Sequence, residues 1–361
     1  MKDYVREVLG EIYQTDDTVD IDALYNSSPL LQYIDLKTGA IYGNTKSRRS
    51  LANIYAIYAI LHYYVDDFYN KPDDYRQFSG YDYTRLFNFY RGLYGGSKLQ
   101  NHALNSRVNG EFKNKIVREN DNDLIIINNG RYALHIDYLY AEGVDISKAA
   151  IAIIEAYISL LQLKDNKLIG DIEQLIALES VSEKKKKISE MLDEDAEARI
   201  FEIISYAILR NHYLNTKVYI GYSVEELKEE YLTLYKTGRT NANDGGIDFV
   251  MRPLGRFFQV TEVNSYDKYL LDIDKVLHFP ITFVVKTEDT SEAVVSQLQK
   301  YIEVKSSGMT IVKDRYNQAI EEIITINELR DWLNELEENS VNAILKDIDL
   351  YYRIEMNMFD E

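Results

Sequence analysis

The chain has 361 residues, 46% of them hydrophobic, and a formal net charge of −18. This length is enough for two domains with real hydrophobic cores. The acidic charge argues against non-specific nucleic-acid binding, because neutralising phosphates supplies most of that affinity. The absence of cysteine excludes disulfides, thiolate metal ligands and cysteine nucleophiles. No apolar run approaches the roughly 20 residues of a membrane span, and the charged start does not resemble a signal peptide. We therefore expect a cytoplasmic protein without membrane association.

The first half of the chain is predicted to be mainly helical. Residues 1–30 predict one helix followed by a polar connector, and residues 103–115 predict a polar helix or loop. Apolar side chains nearly all round predict a buried helix at residues 50–69, and further apolar helices are predicted at residues 146–163 and 167–178. The dipeptide Asn129-Gly130 predicts the turn of a β-hairpin between residues 123–128 and 132–138.

A charged segment separates the two halves. Residues 180–197 include a run of four lysines, residues 184–187, which is more typical of a solvated helix or linker than of a DNA-binding patch. We therefore predict two domains, a mainly helical N-terminal region at 1–180 and a second domain at 190–361.

The second half alternates between helix and strand patterns. We predict helices at 198–213, 224–235, 269–277 and 292–303, a strand at 281–286, a strand or helix at 316–326, and an acidic helical tail from residue 328. A β-hairpin lies between residues 238 and 264. This order predicts an α/β fold with a mixed β-sheet flanked by helices.

The hairpin carries the residues of greatest chemical interest. Asp248 stands early in its first strand, and Gln259, Thr261 and Glu262 stand late in its second strand. Paired strands bring such residues within about 5 Å of one another. Divalent cations such as Mg²⁺ need converging oxygen ligands, so we predict a metal site formed by Asp248, Glu262 and Gln259.

Three short motifs in this region resemble the PD-(D/E)XK nuclease superfamily. Phe201-Glu202 is similar to the Phe-Glu helix of its Mrr-like branch, Gly245-Gly246-Ile247-Asp248 to its Gly-x-Asp strand, and FFQVTEV to its third motif strand. The resemblance covers residues 198–287. Further segments, SLANIYAIYAILHYY and NHALNSRVNGEF among them, resemble type II restriction endonucleases of the ApaLI-like group.

The resemblance implies a fold, an activity and partners. The second domain would be a PD-(D/E)XK-type catalytic domain that uses Mg²⁺, or Mn²⁺ in its place, to hydrolyse double-stranded DNA at a short specific sequence. It also adds Glu202 to the catalytic candidates. The enzyme would act as a homodimer, with DNA recognition and dimer contacts in the first half. A cognate DNA methyltransferase would belong to the same restriction-modification system without being a stable subunit.

The third motif departs from the family pattern. Residues i and i+2 of a strand share a face, so the motif is either Gln259 with Thr261 or Glu262 with Asn264, and the turn does not fix the register. We favour Glu262, because a hard cation prefers a carboxylate. The family lysine is missing in both alternatives. Its role would fall to Lys268, to Lys236 or to a metal-bound water.

Several polar residues are candidates for DNA contacts. Arginine and asparagine are suited to phosphates and to guanine and adenine edges, and the candidates are Arg239, Asn241, Asn243, Arg256, Asn101, His102, Asn105 and Arg107. Two alternatives to a restriction enzyme stay open. One is a modification- or structure-dependent nuclease, and the other is a catalytically degenerate DNA-binding or interaction module.

Overall fold

The computed structural model describes residues 1–14, 19–39, 47–96, 105–237, 247–262 and 265–356. The chain divides into two compact units, Met1–Asn166 and Lys167–Glu361. This division lies N-terminal to the boundary near residue 180 that the charged segment predicted, and it falls inside one continuous helix. Within the described residues no helix combines the length and the apolar character needed to cross a bilayer.

Helices dominate the first unit. They are α1 (Asp3–Tyr13), α2 (Ile21–Ser27), α3 (Pro29–Thr38), α4 (Ser47–Phe68), α5 (Pro72–Arg76), α6 (Tyr83–Arg91), α7 (Ser106–Lys115) and α8 (Ser147–Ala177), which continues into the second unit. The strands are short: β1 (Tyr81–Asp82), β2 (Ile125–Asn128), β3 (Arg131–Leu134), β4 (Tyr140–Ala141) and β5 (Val144–Asp145).

Capping side chains divide the first 40 residues more finely than predicted. The carboxylate of Asp20 accepts hydrogen bonds from the first turn of α2, and the hydroxyl of Ser28 accepts one from the first turn of α3. Such caps satisfy amide groups that have no partner within the helix. The connector predicted after the first helix therefore contains a second one.

Helix α4 forms the centre of the first unit, as its apolar sequence predicted. Most of its side chains from Leu51 to Tyr64 are buried. The hairpin prediction is also confirmed, because Asn129 and Gly130 have φ values of 51° and 77° and join the antiparallel strands β2 and β3. The two helices predicted at 146–163 and 167–178 are one helix, α8, since the polar residues between them are compatible with a helix.

The second unit combines helices with a central sheet. Its helices are α9 (Val181–Glu190), α10 (Ala198–Tyr213), α11 (Tyr266–Lys275), α12 (Ser291–Lys305), α13 (Thr310–Ala319), α14 (Ile326–Glu335) and α15 (Glu338–Met356). Its strands are β6 (Lys217–Ile220), β7 (Lys228–Tyr231), β8 (Thr233–Lys236), β9 (Phe249–Arg252), β10 (Arg256–Glu262), β11 (Ile281–Lys286) and β12 (Ile320–Ile324).

Five of these strands form one mixed sheet in the order β12-β11-β10-β9-β8. Strands β8, β9 and β10 are antiparallel neighbours, whereas β10, β11 and β12 run parallel. One face of the sheet packs against α10, α14 and α15, and the other packs against α11 and α12. The fold class is therefore α/β, with a mixed sheet covered by helices on both faces.

Two segment predictions for this unit need correction. Residues 224–235 are not a helix: they form a short 3₁₀ turn, β7 and β8. Leu232 and Leu234 are buried and alternate with exposed Tyr231 and Tyr235, a period of two that belongs to a strand. Residues 316–326 contain the end of α13 and then β12, so both of the predicted element types occur there.

Aromatic stacking joins two helices of the second unit. The ring of Trp332 on α14 lies 3.9 Å from that of His212 on α10, at an interplanar angle of 18°. Burial lowers the pKa of His212 below its ordinary value, which favours the neutral imidazole. The contact is therefore a stack of the indole on a mainly neutral imidazole.

The register of β10 generates a stability prediction. Phe258 is fully buried on the α10 face, whereas Phe257 is only partly buried on the opposite face. Phe258→Ala should lower the free energy of unfolding by about 3–5 kcal/mol, and Phe257→Ala by clearly less, as measured by urea denaturation. The reverse ranking would mean that β10 is shifted by one residue.

Candidate functional site

Asp248 lies where the end of β8, the start of β9 and the middle of β10 meet. Its backbone N–H donates to the carbonyl of Phe258 at 2.9 Å, and its carbonyl accepts from the N–H of Thr237 at 3.0 Å. Its carboxylate oxygen Oδ2 accepts the N–H of Val260 at 2.7 Å. The acid is thus held against β10 by its backbone and by its side chain.

Glu262 and Lys286 are neighbours at the ends of two parallel strands. They are register partners of β10 and β11, and the Lys286 ammonium lies 3.0 Å from Glu262 Oε1. The Lys286 side chain is 5% exposed and the Glu262 side chain 35% exposed. Lys286 Nζ also donates to the Ala196 carbonyl at 2.8 Å, just before α10. A largely buried ammonium therefore faces a carboxylate that remains open to water.

The structure settles which residues of β10 share a face. Gln259 and Thr261 pair with Phe283 and Val285 on the face covered by α11 and α12. Glu262 lies on the opposite face, with Val260. The two motif alternatives are therefore separated by the sheet itself, and Gln259 does not lie beside Glu262.

Gln259 nevertheless has an unusual environment. It is buried, and its Oε1 atom has no hydrogen-bond donor among the described residues, while its Nε2 donates to the Val260 carbonyl at 3.2 Å. A buried amide oxygen without a donor costs free energy. It is therefore available as an oxygen ligand, although on the other face from Glu262.

Glu202 is engaged by a different lysine. Its Oε1 atom lies 2.7 Å from the ammonium of Lys236 at the end of β8, and both side chains are about nine-tenths buried. Lys236 is level with Phe258 in the sheet register. This position is four residues before Glu262, or about 13 Å along the strand. Glu202 thus pairs with Lys236 instead of joining Glu262.

Lys286, which lies next to Glu262, is not one of the lysines that the sequence suggested. Lys236 is committed to Glu202, and Lys268 lies exposed on α11. Lys286 stands beside Glu262 because parallel pairing aligns the ends of β10 and β11. The sequence feature that could have indicated Lys286 is its place as the charged last residue of the apolar strand ITFVVK.

Glu194 holds the segment just after β11 through two hydrogen bonds. Glu194 accepts the N–H of Glu288 at 2.8 Å and the hydroxyl of Thr287 at 3.0 Å. These hydrogen bonds hold the pKa of Glu194 below its ordinary value. The segment that follows Lys286 is thereby fixed to the segment that precedes α10.

The candidate DNA-contacting residues are dispersed. Arg256 lies at the opposite end of β10 from Glu262, where its guanidinium binds Thr282, Glu321 and Glu322. In the first unit, Asn105 precedes α7 without capping it by its side chain, and Arg107 lies 3.6 Å from Glu111. The remaining candidates lie outside the described residues, namely Asn101, His102, Arg239, Asn241 and Asn243, together with Gly245, Gly246 and Asn264.

The donor chemistry at this end of the sheet suits a hard divalent cation, because Asp248 and Glu262 both offer carboxylate oxygens. Among the described residues, no group of three or more His, Asp or Glu side chains is close enough to hold a metal ion. The candidate ligand set therefore consists of these two carboxylates, one of them anchored by Val260 and the other by Lys286.

Comparison with protein-family models, with curated proteins and with solved structures gave no match.

The Glu262–Lys286 pair generates a second stability prediction. Glu262→Ala leaves a largely buried ammonium with only the Ala196 carbonyl, so it should cost about 1–3 kcal/mol. Lys286→Met should cost less than about 1 kcal/mol, because the remaining carboxylate reaches water and the side-chain volume is kept. Urea denaturation of both variants and of the double variant measures these differences.

A surface ion pair provides the control for this comparison. Asp267 and Lys305 lie 2.9 Å apart with side chains 64% and 51% exposed, so Asp267→Ala should leave the midpoint of urea denaturation nearly unchanged. A larger loss from Lys286→Met than from Glu262→Ala would show that Lys286 is held mainly by the Ala196 carbonyl.

Proposed function

We propose that the chain is a Mg²⁺-dependent type II restriction endonuclease that hydrolyses double-stranded DNA at a short specific sequence. The observation that carries the proposal is the arrangement of the second unit. Helix α10 is followed by the β6–β7 hairpin, the antiparallel strands β8, β9 and β10, helix α11 and the parallel strand β11. Asp248 directly precedes β9, and Glu262 closes β10. Phe201-Glu202, Asp248 and the FFQVT run lie on or next to α10, β9 and β10, in the order helix, strand, strand that the motif resemblance implies.

Asp248 and Glu262 would hold the cation in this proposal. When bound, Mg²⁺ or Mn²⁺ lowers the pKa of water and stabilises the charge that develops on a phosphate. Gln259 is a weaker ligand candidate, because it offers an amide oxygen and lies on the other face of the sheet from Glu262. Glu202 would act indirectly, through its ion pair with Lys236.

The chain's own residues would orient the reacting groups. The N–H of Val260 fixes the Asp248 carboxylate, and Lys286 holds the Glu262 carboxylate from the neighbouring strand. The Lys286 ammonium would also supply positive charge close to a bound phosphate. Lys286, on the neighbouring strand, thus takes in the proposal the role that the motif lysine has in the family.

A catalytically degenerate DNA-binding or interaction module is the second candidate. It is favoured by the ion pairs, since Glu262 and Glu202 both face lysines in the described structure. Incubating the protein with unmethylated phage DNA, with and without Mg²⁺, separates the candidates. Discrete fragments support the restriction enzyme, and cleavage confined to modified or branched DNA supports a modification- or structure-dependent nuclease. DNA that stays intact favours the degenerate module.

The proposed site predicts a strict requirement for a divalent cation. Cleavage should stop in EDTA and return with Mg²⁺ or Mn²⁺, because two carboxylates alone repel a phosphate. Fragment patterns on agarose gels measure the effect. Discrete fragments that persist in EDTA would refute the metal assignment.

Substitutions on the sheet should separate cleavage from binding. Asp248→Ala should lower the cleavage rate at least about a hundred-fold, since even changes around metal ligands cost about 10–100-fold. DNA binding should persist, because a negative charge near the phosphate is removed. Glu262→Gln should abolish cleavage, whereas Gln259→Ala should only weaken it. Single-turnover cleavage and filter binding measure the two effects.

Asp331→Ala is the matched control, because Asp331 is exposed on α14 and should be dispensable. If Asp248→Ala folds normally by circular dichroism and cuts at the wild-type rate, the site assignment is wrong. If Gln259→Ala is inactive while Glu262→Gln retains activity, the catalytic face is the one covered by α11.

A further inference from the structure

The hairpin formed by β6 and β7 exposes an unusual amount of apolar surface. Every residue from 219 to 231 is exposed. Six large apolar side chains lie in this short segment, namely Tyr219, Ile220, Tyr222, Val224, Leu227 and Tyr231. Tyr219 is 62% exposed and Val224 is 80% exposed. Apolar clusters of this kind on a protein surface are typical of interaction sites.

The hairpin has little support from the described part of the chain. Only Val218 in β6 packs against the hydrophobic core of the second unit. Across the two strands, Glu229 forms an ion pair with Lys217 at 2.8 Å and accepts a hydrogen bond from the Tyr219 hydroxyl at 3.0 Å. A two-stranded hairpin alone is marginally stable in water, so an additional strand would stabilise this one.

The charges of the segment disfavour nucleic acid as its partner. Residues 217–231 contain Lys217 and Lys228 as their basic residues, against four glutamates at positions 225, 226, 229 and 230. A surface that binds DNA through phosphates needs an excess of positive charge. A protein strand is the better match for an apolar, weakly acidic hairpin.

The two edges of the hairpin differ in charge. Strand β7 carries Glu229 and Glu230 side by side, and full-length antiparallel pairing of this strand with its own copy would set these glutamates opposite each other. Strand β6, with the sequence KVYI, carries no acid. Like charges placed opposite each other oppose strand pairing, so β6 is the edge that can accept an identical strand.

We propose that β6 pairs antiparallel with β6 of a second copy of this chain, forming a four-stranded intermolecular sheet across a two-fold axis. Such isologous contacts are the commonest way in which identical chains associate. Full-length pairing places Lys217 opposite Ile220 of the second copy and Val218 opposite Tyr219 of the second copy. No two like charges then face each other, and the apolar side chains cover one another. The proposal does not depend on nuclease activity, and it places a dimer contact in the second unit, whereas the resemblance implied dimer contacts in the first half.

Sedimentation velocity over a concentration series tests the association. The wild-type chain should sediment as a dimer at high concentration. Ile220→Lys brings like charges together at both symmetry-related Lys217 positions, so it should raise the dimer dissociation constant at least about tenfold. Ile311→Lys is the matched control, because it also replaces an exposed isoleucine with lysine but lies on α13, outside the hairpin. It should leave the dissociation constant unchanged.

A cysteine pair tests the register of the proposed strand pairing directly. The chain has no cysteine of its own, and opposed residues in an antiparallel pair lie about 5 Å apart, which a disulfide can span. Mixing Lys217→Cys protein with a size-tagged Ile220→Cys protein should give a mixed disulfide-linked dimer under mild oxidation. Each protein alone should give much less, because identical positions then lie about 10 Å apart.

Three results would overturn the proposal. The first is a monomer at every concentration. The second is a dimer that Ile220→Lys does not weaken, together with no preference for the mixed disulfide. The third is a monomeric chain whose retention of duplex DNA is lost in Ile220→Lys, which would assign the hairpin to nucleic acid.

Discussion

The second unit depends on the parallel pairing of β10 with β11. Strand β11 is buried along its whole length, and helices cover both faces of the sheet around it. Parallel neighbours need a crossover connection, which here is α11, and this connection covers the second face. Burial of this pair fixes the register, and the register fixes which polar side chains appear at the end of the sheet.

The ends of the strands are where polar chemistry can accumulate, because the interior of the sheet admits almost none. Glu262 and Lys286 stand at the last positions of β10 and β11, and Lys236 at the last position of β8. Glu202 on α10 and Glu262 on β10 each face an ammonium from another strand. An acidic chain thereby places lysines at the ends of two strands, each opposite a carboxylate.

The sequence predicted those elements whose pattern is local. Helix α10 and strand β11 have the predicted bounds, because one has an apolar stripe of helical period and the other is a β-branched run after a proline. The prediction of a helix at residues 224–235 was wrong. Its charged residues suggested a helix, whereas Leu232 and Leu234 alternate with exposed tyrosines, as in a strand. The alternating hydrophobic pattern was too short to decide between a helix and a strand.

The details of the candidate site were less accessible to sequence reasoning. The run FFQVT has no polar face to reveal its register, since both sides of β10 are covered by helices. Lys286 was missed because its partner Glu262 lies 24 residues earlier and meets it only through parallel pairing. Two-sided burial thus removed the alternation that would have identified the catalytic face.

The stacked pair of Trp332 and His212 gives the second unit a built-in optical reporter. Trp332 is the only tryptophan in the chain, whereas 31 tyrosines are distributed throughout it. Selective excitation of indole fluorescence would therefore observe the junction of α14 with α10 alone, free of signal from the first unit. Because α10 also carries Glu202, the emission of one side chain would follow any movement of the helix that borders the candidate site.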